Sequence, residues 1–331
     1  MSTTKKVVLI TTCVLVVCLI AAAVIIGTNF GRVGSNGWFG LFSSKSAAIE
    51  ESASLDLAGI ETVNVDCVSG HINITPGEPG AKLTGSILTS SPKEKYLVVS
   101  KQGSTLTVKF DADMIFPQTI SADVTLSVAL PADTKVNLNV TGASADTELN
   151  GFNSLSDVRV DSASGAARVN GCAGNRLKIN LTSGLIDVTD ADFKNVDTGC
   201  VSGDVNLKNI SGSANVSSTS GTVNIDSVLG ELQVNSTSGN VLLSQPQQDL
   251  KAMRVDVTSG NIDLKLNPKA AFNLTADSTS GGIKTDFDVT VSGNVSEDFI
   301  GDSLSGKING GGELLDLYTT SGGIRISKIS E

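Results

Sequence analysis

A short serine-glycine phrase recurs along this chain, and it constrains the fold more strongly than any other feature of the sequence. Its clearest copies begin at Ser183, Ser220, Ser238 and Ser259, and an early copy stands alone at Ser69. The later serines stand 16 to 25 residues apart, as follows: Ser164, Ser183, Ser202, Ser220, Ser238, Ser259, Ser280, Ser305 and Ser321. Self-similarity at a nearly constant period of this length is typical of a solenoid.

Each copy predicts two short strands that meet at a corner. Apolar, often β-branched residues stand three and five places after most of the serines, with polar residues between them, as in Val223, Asn224 and Ile225. This period-two alternation is the pattern of a half-buried strand. A further apolar residue, such as Val216, stands four places before the serine and indicates a strand that enters the corner. The glycine makes the bend, because it adopts positive φ without steric cost.

These features predict an all-β chain that folds as a parallel β-helix, or β-solenoid, of about ten coils. Roughly 20 residues at ~3.3 Å each make a circuit of about 65 Å, which suits a flattened coil of two or three strands. Successive coils would pair in parallel about 4.8 Å apart and bury their inward columns. A β-sandwich is the alternative, although sandwich strands rarely repeat one phrase so faithfully.

The segments outside the repeats divide the chain further. Residues 7–27 are almost uninterruptedly apolar and follow Lys5 and Lys6, so we expect a membrane-spanning helix with the lysines on the cytoplasmic side. A cleaved signal peptide is the alternative, but its apolar region is normally shorter. We therefore predict a cytoplasmic tip and transmembrane anchor over 1–28, a flexible juxtamembrane tether over 29–57, an irregular N-terminal β cap with the first repeat over 58–140, and β-solenoid repeats over 141–331.

The composition excludes several classes of function. The net charge of −10 argues against a nucleic-acid partner, which requires a basic face. His71 is the only histidine, so neither a Ser-His-Asp triad nor a paired-histidine metal site can be assembled. We predict that the protein is not an enzyme, and we predict no catalytic residue, cofactor or metal.

One column of polar residues is the candidate ligand-binding site. Asp187, Asn206, Asn224 and Asp263 all stand four places after a repeat serine, at an outward position. Carboxylates and amides in such a row offer contacts to cations or glycans. The alternative is a solvated strand face whose Asn and Asp side chains hydrogen-bond locally.

The cysteines indicate no complete disulfide framework, because three of them, an odd number, follow the predicted anchor. Cys67 and Cys200 both stand two places before a repeat serine, at an inward position. We expect small buried thiols there.

Three sequence features carry a resemblance to a known family. They are Gly59-Ile-Glu-Thr-Val-Asn-Val leading into Val68-Ser-Gly-His-Ile-Asn-Ile, the later Val128-Ala-Leu-Pro, and the serial Thr-Ser-Gly-x-Val-x-Ile copies. Over about residues 58–331 the chain resembles the prokaryotic putative-adhesin family of unknown function. The resemblance implies an extracytoplasmic β-solenoid, often anchored by one membrane helix, and the name implies surface adhesion. It supplies no catalytic residues.

Taken together, the residues and the resemblance favour a membrane-anchored extracytoplasmic protein that acts by binding, adhesin-like or associated with the cell envelope. Its expected partners are the membrane, through the N-terminal helix, and a surface glycan or an envelope protein. Two alternatives stay open. One is a polysaccharide-active enzyme on a β-helix, which would need convergent Asp, Lys and Arg in a groove. The other is an accessory protein of an envelope-stress regulatory system, since some similar proteins are encoded beside such regulators.

Overall fold

The computed structural model describes residues 45–89, 92–112, 119–291, 294–296 and 300–330, and within these ranges the chain is all-β. The strands of the first half are β1 (Lys45–Ser54), β2 (Thr62–Pro76), β3 (Gly80–Thr89), β4 (Leu97–Gln102), β5 (Thr105–Phe110), β6 (Thr119–Leu130), β7 (Asn137–Asn150), β8 (Leu155–Ser164), β9 (Ala166–Asn170), β10 (Ala173–Ser183), β11 (Leu185–Ser202), β12 (Val205–Ile210) and β13 (Ser213–Ser220). Those of the second half are β14 (Val223–Val228), β15 (Leu232–Ser238), β16 (Val241–Gln245), β17 (Met253–Ser259), β18 (Ile262–Leu266), β19 (Phe272–Ser280), β20 (Ile283–Thr285), β21 (Val289–Val291), β22 (Asn294–Ser296), β23 (Ile300–Gly301), β24 (Ser303–Ile308), β25 (Glu313–Ser321) and β26 (Ile324–Lys328).

Parallel strand pairing builds two faces that meet along the serine corners. The first face precedes the corner in each coil and pairs β5, β2, β7, β8, β10, β11, β13, β15, β17, β25 and β19 in that order. The second face follows the corner and pairs β6, β2, β7, β9, β11, β12, β14, β16, β18, β26 and β20. The long strands β2, β7 and β11 contribute to both faces. The described residues therefore form a solenoid-like β structure, as the repeat predicts.

The serine corners stack on one another in register. Ser202 is paired with Ser183 on one side and Ser220 on the other. At this corner Gly203 has φ +145°, and an added Cβ would collide with the carbonyl oxygen of Gly184. Glycine recurs here because the chain both bends and approaches the neighbouring coil closely. The isolated early copy also joins the stack, since Ser69 pairs with Ser144.

The inward columns form one core between the faces. The burial of β14 alternates along its first residues, with Val223 and Ile225 buried and Asn224 half-buried. The strands β12 and β18 alternate in the same way. The predicted inward and outward positions are therefore confirmed in these coils. Because parallel pairing is in register, each buried residue contacts its equivalent in the next coil.

The final coils depart from chain order. A sequential stack would place β19 beside β17, but β25 lies between them and pairs in parallel with both. Ser305, counted among the corner serines in the sequence, instead lies in β24, which runs antiparallel to β19. The insertion pairs both edges of β25 and leaves Leu315 and Leu317 fully buried. If β25 lay at the end of the stack, one of its edges would lack hydrogen-bond partners.

Antiparallel strands cover the N-terminal end. On the second face β3 pairs with β6, and β1 pairs with β3 throughout Lys45–Ser54. Ile49 is buried, and the Glu51 carboxylate accepts hydrogen bonds from the backbone N–H groups of Tyr96 and Leu97. Here the structure differs from the expected flexible tether over 29–57, because residues 45–54 form a paired strand. Burial of Ile49 and the hydrogen bonds accepted by Glu51 stabilise this segment.

The predicted anchor over residues 7–27 lies outside the described residues. Within the described ranges, no helix has the length and apolar character needed to cross a membrane.

Candidate ligand-binding site

The structure places all four predicted ligand-binding residues on one outward row of the second face. Asp187, Asn206 and Asn224 lie opposite one another on β11, β12 and β14. The next member of the row is Leu242, and Asp263 follows it on β18. In-register strands bring equivalent residues to within about 4.8 Å of one another. The row therefore crosses five successive coils.

Hydrogen bonds within the row hold part of it in place. The Asn224 Nδ2 atom donates to Asn206 Oδ1 over 2.9 Å. Thr189 Oγ1 donates to Asp187 Oδ1 over a longer distance of 3.5 Å. The local hydrogen bonding of the alternative interpretation, a solvated strand face, is therefore present in the asparagine pair. Each amide has two N–H donors and a two-lone-pair oxygen, so one such bond leaves further capacity.

These four residues line a single open depression of about 390 Å³ on the second face. The row beside them adds Lys208, Asp226 and Lys265, all exposed. The surface thus alternates cationic, anionic and amide groups over a short distance. Such an open surface suits contact with an extended chain, whereas small-molecule sites are concave and enclose most of the ligand.

Four exposed residues of this depression are not among those predicted from the sequence: Lys208, Asp226, Leu242 and Lys265. Leu242 is 40% exposed and supplies an apolar contact in an otherwise polar row. Lys208 stands two residues after Asn206 on β12, and Lys265 stands two residues after Asp263 on β18. Their signal was available in the period-two pattern, because residues four and six places after the serine share one face.

A neighbouring polar row serves the fold instead. The Asp204 carboxylate accepts a hydrogen bond from the backbone N–H of Thr222 at 2.8 Å, and Asn240 Oδ1 accepts one from Asn261 at 3.1 Å. Asn261 Oδ1 in turn accepts the backbone N–H of Gly323 at 2.8 Å. These oxygens satisfy backbone donors where the coils turn. These residues do not line the depression, so they are not part of the candidate site.

The other singled-out residues lie where the sequence indicates. His71 is exposed, with its Nδ1 atom 3.7 Å from an Asp146 carboxylate oxygen. Cys67, Cys172 and Cys200 are buried free thiols, which confirms the inward positions of the first and last. Burial raises the pKa of the Cys67 thiol to about 11. The reactive thiolate is therefore scarce at neutral pH.

Among the described ranges, no group of three or more His, Cys, Asp or Glu side chains is arranged to hold a metal ion.

A family model described as Toastrack DUF4097 matches residues 60–327, which is most of the chain. The chain belongs to the Toastrack DUF4097 family. The matched range covers the first repeat and the coils from β2 onward, and β1 (Lys45–Ser54) precedes it. The resemblance to an adhesin-like family of unknown function is thereby confirmed.

Several solved structures are similar to this Toastrack chain at low identity. A "putative adhesin" from Parabacteroides distasonis is 11% identical, with 87% of this chain and 98% of that chain covered and a TM-score of 0.45. A "putative adhesin" from Parabacteroides merdae is 10% identical, with 86% and 96% covered and a TM-score of 0.45. A "putative lipid binding protein" from Parabacteroides distasonis is 13% identical, with 85% and 97% covered and a TM-score of 0.44. No curated protein is significantly similar to this chain.

Proposed function

We propose that this Toastrack protein acts by binding, as an adhesin-like protein that engages a repetitive polymer of the cell surface or envelope. One observation carries the proposal. Asp187, Asn206, Asn224 and Asp263 come from different coils and line one open depression. A row with this regular spacing matches a ligand that also repeats.

The affinity of such a face arises from many weak contacts. A single amide or carboxylate contact in water contributes little, since it replaces a hydrogen bond to solvent. A polymer that contacts several coils gains from the high effective concentration of each following contact. The exposed Leu242 adds an apolar contact within the row, between Asn224 and Asp263. A surface glycan fits this chemistry better than a small metabolite does.

The proposal includes the location of the protein. The apolar residues 7–27 behind Lys5 and Lys6 support a single-pass anchor with the lysines inside. The stack of coils would then lie outside the cytoplasmic membrane, where surface polymers occur. Binding, rather than catalysis, is the proposed activity.

Binding of the purified full-length protein to a glycan array tests this proposal. The test variant changes Asp187, Asn206, Asn224 and Asp263 to serine, which keeps polar residues on the strand face. The matched control changes Asp157 and Asn175 to serine, because these exposed residues form a 2.9 Å hydrogen bond outside the depression.

We expect the wild type and the control to bind the same glycans and the four-residue variant to lose that binding. Circular dichroism establishes that both variants retain the β fold. Unchanged binding by a folded four-residue variant would exclude this row as the site. Cleavage of a bound polysaccharide by the wild type would overturn the binding proposal in favour of an enzyme.

A further inference from the structure

The insertion of β25 assembles a second polar cluster on the opposite, first face. Tyr318 of β25 lies directly between Asp256 of β17 and Asp277 of β19. The ring is 40% exposed, although the other tyrosine, Tyr96, is buried. The Tyr318 hydroxyl lies 3.3 Å from Thr279 Oγ1, within hydrogen-bond distance. An exposed aromatic ring is therefore held in a defined position by its neighbours.

A guanidinium network organises the other half of this cluster. Arg254 Nε donates to Asp256 Oδ2 at 2.8 Å, and its Nη2 donates to Asp256 Oδ1 at 3.3 Å. Its Nη1 donates to Asp316 Oδ2 at 3.0 Å. Bidentate pairing of this kind fixes the planes of both groups. Three donors of one side chain thus join two coils beside Tyr318.

We propose that Tyr318, Arg254, Asp256, Asp277 and Asp316 form a second binding site, which takes a neutral sugar ring. The apolar C–H face of a pyranose would lie on the Tyr318 ring, whose face carries partial negative charge. The surrounding groups would bind the sugar hydroxyls. This site is separate from the row on the second face and does not depend on it.

The hydrogen-bonding groups of the cluster, rather than its charge, favour a polyol. Asp256 and Asp316 are both paired with Arg254, which offsets one of their two negative charges and orients both carboxylates. Guanidinium has five N–H donors, three of which are used in the bonds above. The carboxylates keep unused lone pairs. Sugar hydroxyls both donate and accept, and they therefore match a cluster that presents both functions.

The adjacent surface extends the site along a polymer. Arg254 and Asp316 line an open first-face depression of about 370 Å³. Gln233 and Asn215 continue it across the next coils, and Leu314, 47% exposed, forms one apolar edge. Amides and a carboxylate–guanidinium network alternate along this path. The depression therefore offers contacts to neighbouring sugar residues of one chain.

Binding of defined oligosaccharides to the full-length protein tests the site. The probes are cellohexaose, maltohexaose and chitohexaose, with a lysine hexapeptide as the cationic comparison. The variants are Tyr318→Ala, which removes the ring, and Tyr318→Phe, which keeps the ring and removes the hydroxyl. Leu229→Ala is the matched control, because Leu229 is 51% exposed and lines neither depression. Thermal unfolding of each variant establishes that it is folded.

We expect at least one hexaose to bind and Tyr318→Ala to weaken that binding about tenfold or more. Tyr318→Phe and Leu229→Ala should bind within about threefold of wild type. No binding of any hexaose overturns the proposal, as does equal affinity of folded Tyr318→Ala. Binding of the lysine peptide alone assigns the cluster to a cation instead. The four-residue serine variant of the second face keeps Tyr318, so its loss of glycan-array binding would not change the expected effect of Tyr318→Ala on hexaose binding. Each proposal can therefore fail while the other holds.

Discussion

The inward register of the coils is testable with two adjacent substitutions, Val223→Asp and Asn224→Asp. Val223 is fully buried and lies between Val205 and Val241 in its column. The substitution removes an apolar contribution of about 1.5–3 kcal/mol. It also buries a carboxyl group beside valines, which costs roughly 1–3 kcal/mol or more without a partner. We therefore expect a loss of about 4 kcal/mol, a large part of a typical total stability.

The neighbouring Asn224→Asp substitution serves as the control. Its side chain is half-buried on the outward row, and the change removes the Nδ2 donor to Asn206. The loss of one such hydrogen bond costs about 1 kcal/mol. The two variants should therefore differ by about 3 kcal/mol, because one carboxyl group points into the core and the other into water.

Urea unfolding of the full-length protein, followed by circular dichroism in the β region, measures this difference. We expect a clearly lower urea midpoint for Val223→Asp than for Asn224→Asp, with the wild type highest. Equal midpoints for the two variants would refute the assigned register. So would a lower midpoint for Asn224→Asp, since a one-residue slip exchanges the two faces.

Two further predictions concern the inserted strand and a buried thiol. Leu317→Ala should lower the unfolding free energy by about 2–5 kcal/mol, because Leu317 is fully buried. Leu314 on the same strand is 47% exposed, so Leu314→Ala should change the unfolding free energy by less than about 0.5 kcal/mol. Similar losses for the two variants in urea unfolding would contradict the position of β25. The pKa of the Cys67 thiol is raised from 9.0 to about 11 by burial, so its stabilising contribution is complete below pH 9 and is lost as the pH rises through 11. Wild-type stability should therefore fall between pH 9 and 11 more steeply than that of Cys67→Ala, and parallel pH profiles would contradict this.

Much of the coil was predictable because each copy of the repeat contains the local sequence signals that define its strands and its corner. Alternation around Val223 and Ile225 specifies which side is buried, and Gly203 marks the corner. The corner at Ser144 escaped detection because Ala145 replaces the usual glycine. The polar row of the candidate site was predictable for the same reason as the core. The two-residue alternation of each strand assigns the apolar residues to the inward face and the polar residues to the outward face.

The N-terminal strand was harder to predict. Residues 45–54 have no copy of the repeat, and their pairing depends on β3, about 35 residues further along the chain. Glu51 owes its position to the backbone of Tyr96 and Leu97 rather than to any local pattern. Antiparallel edge strands of this kind are defined by their partners.

By itself, the sequence determined the local form of the coil: an inward column, a glycine corner and an outward polar row. Only the tertiary structure decided the order of the last coils. All copies share one phrase, so any two can pair in register, and local pattern does not distinguish between neighbours. Insertion of β25 satisfies both of its edges, and this places Tyr318 between Asp256 and Asp277. The repeat pattern does not specify which strands become neighbours. Long-range backbone pairing therefore determines the position of the second candidate site.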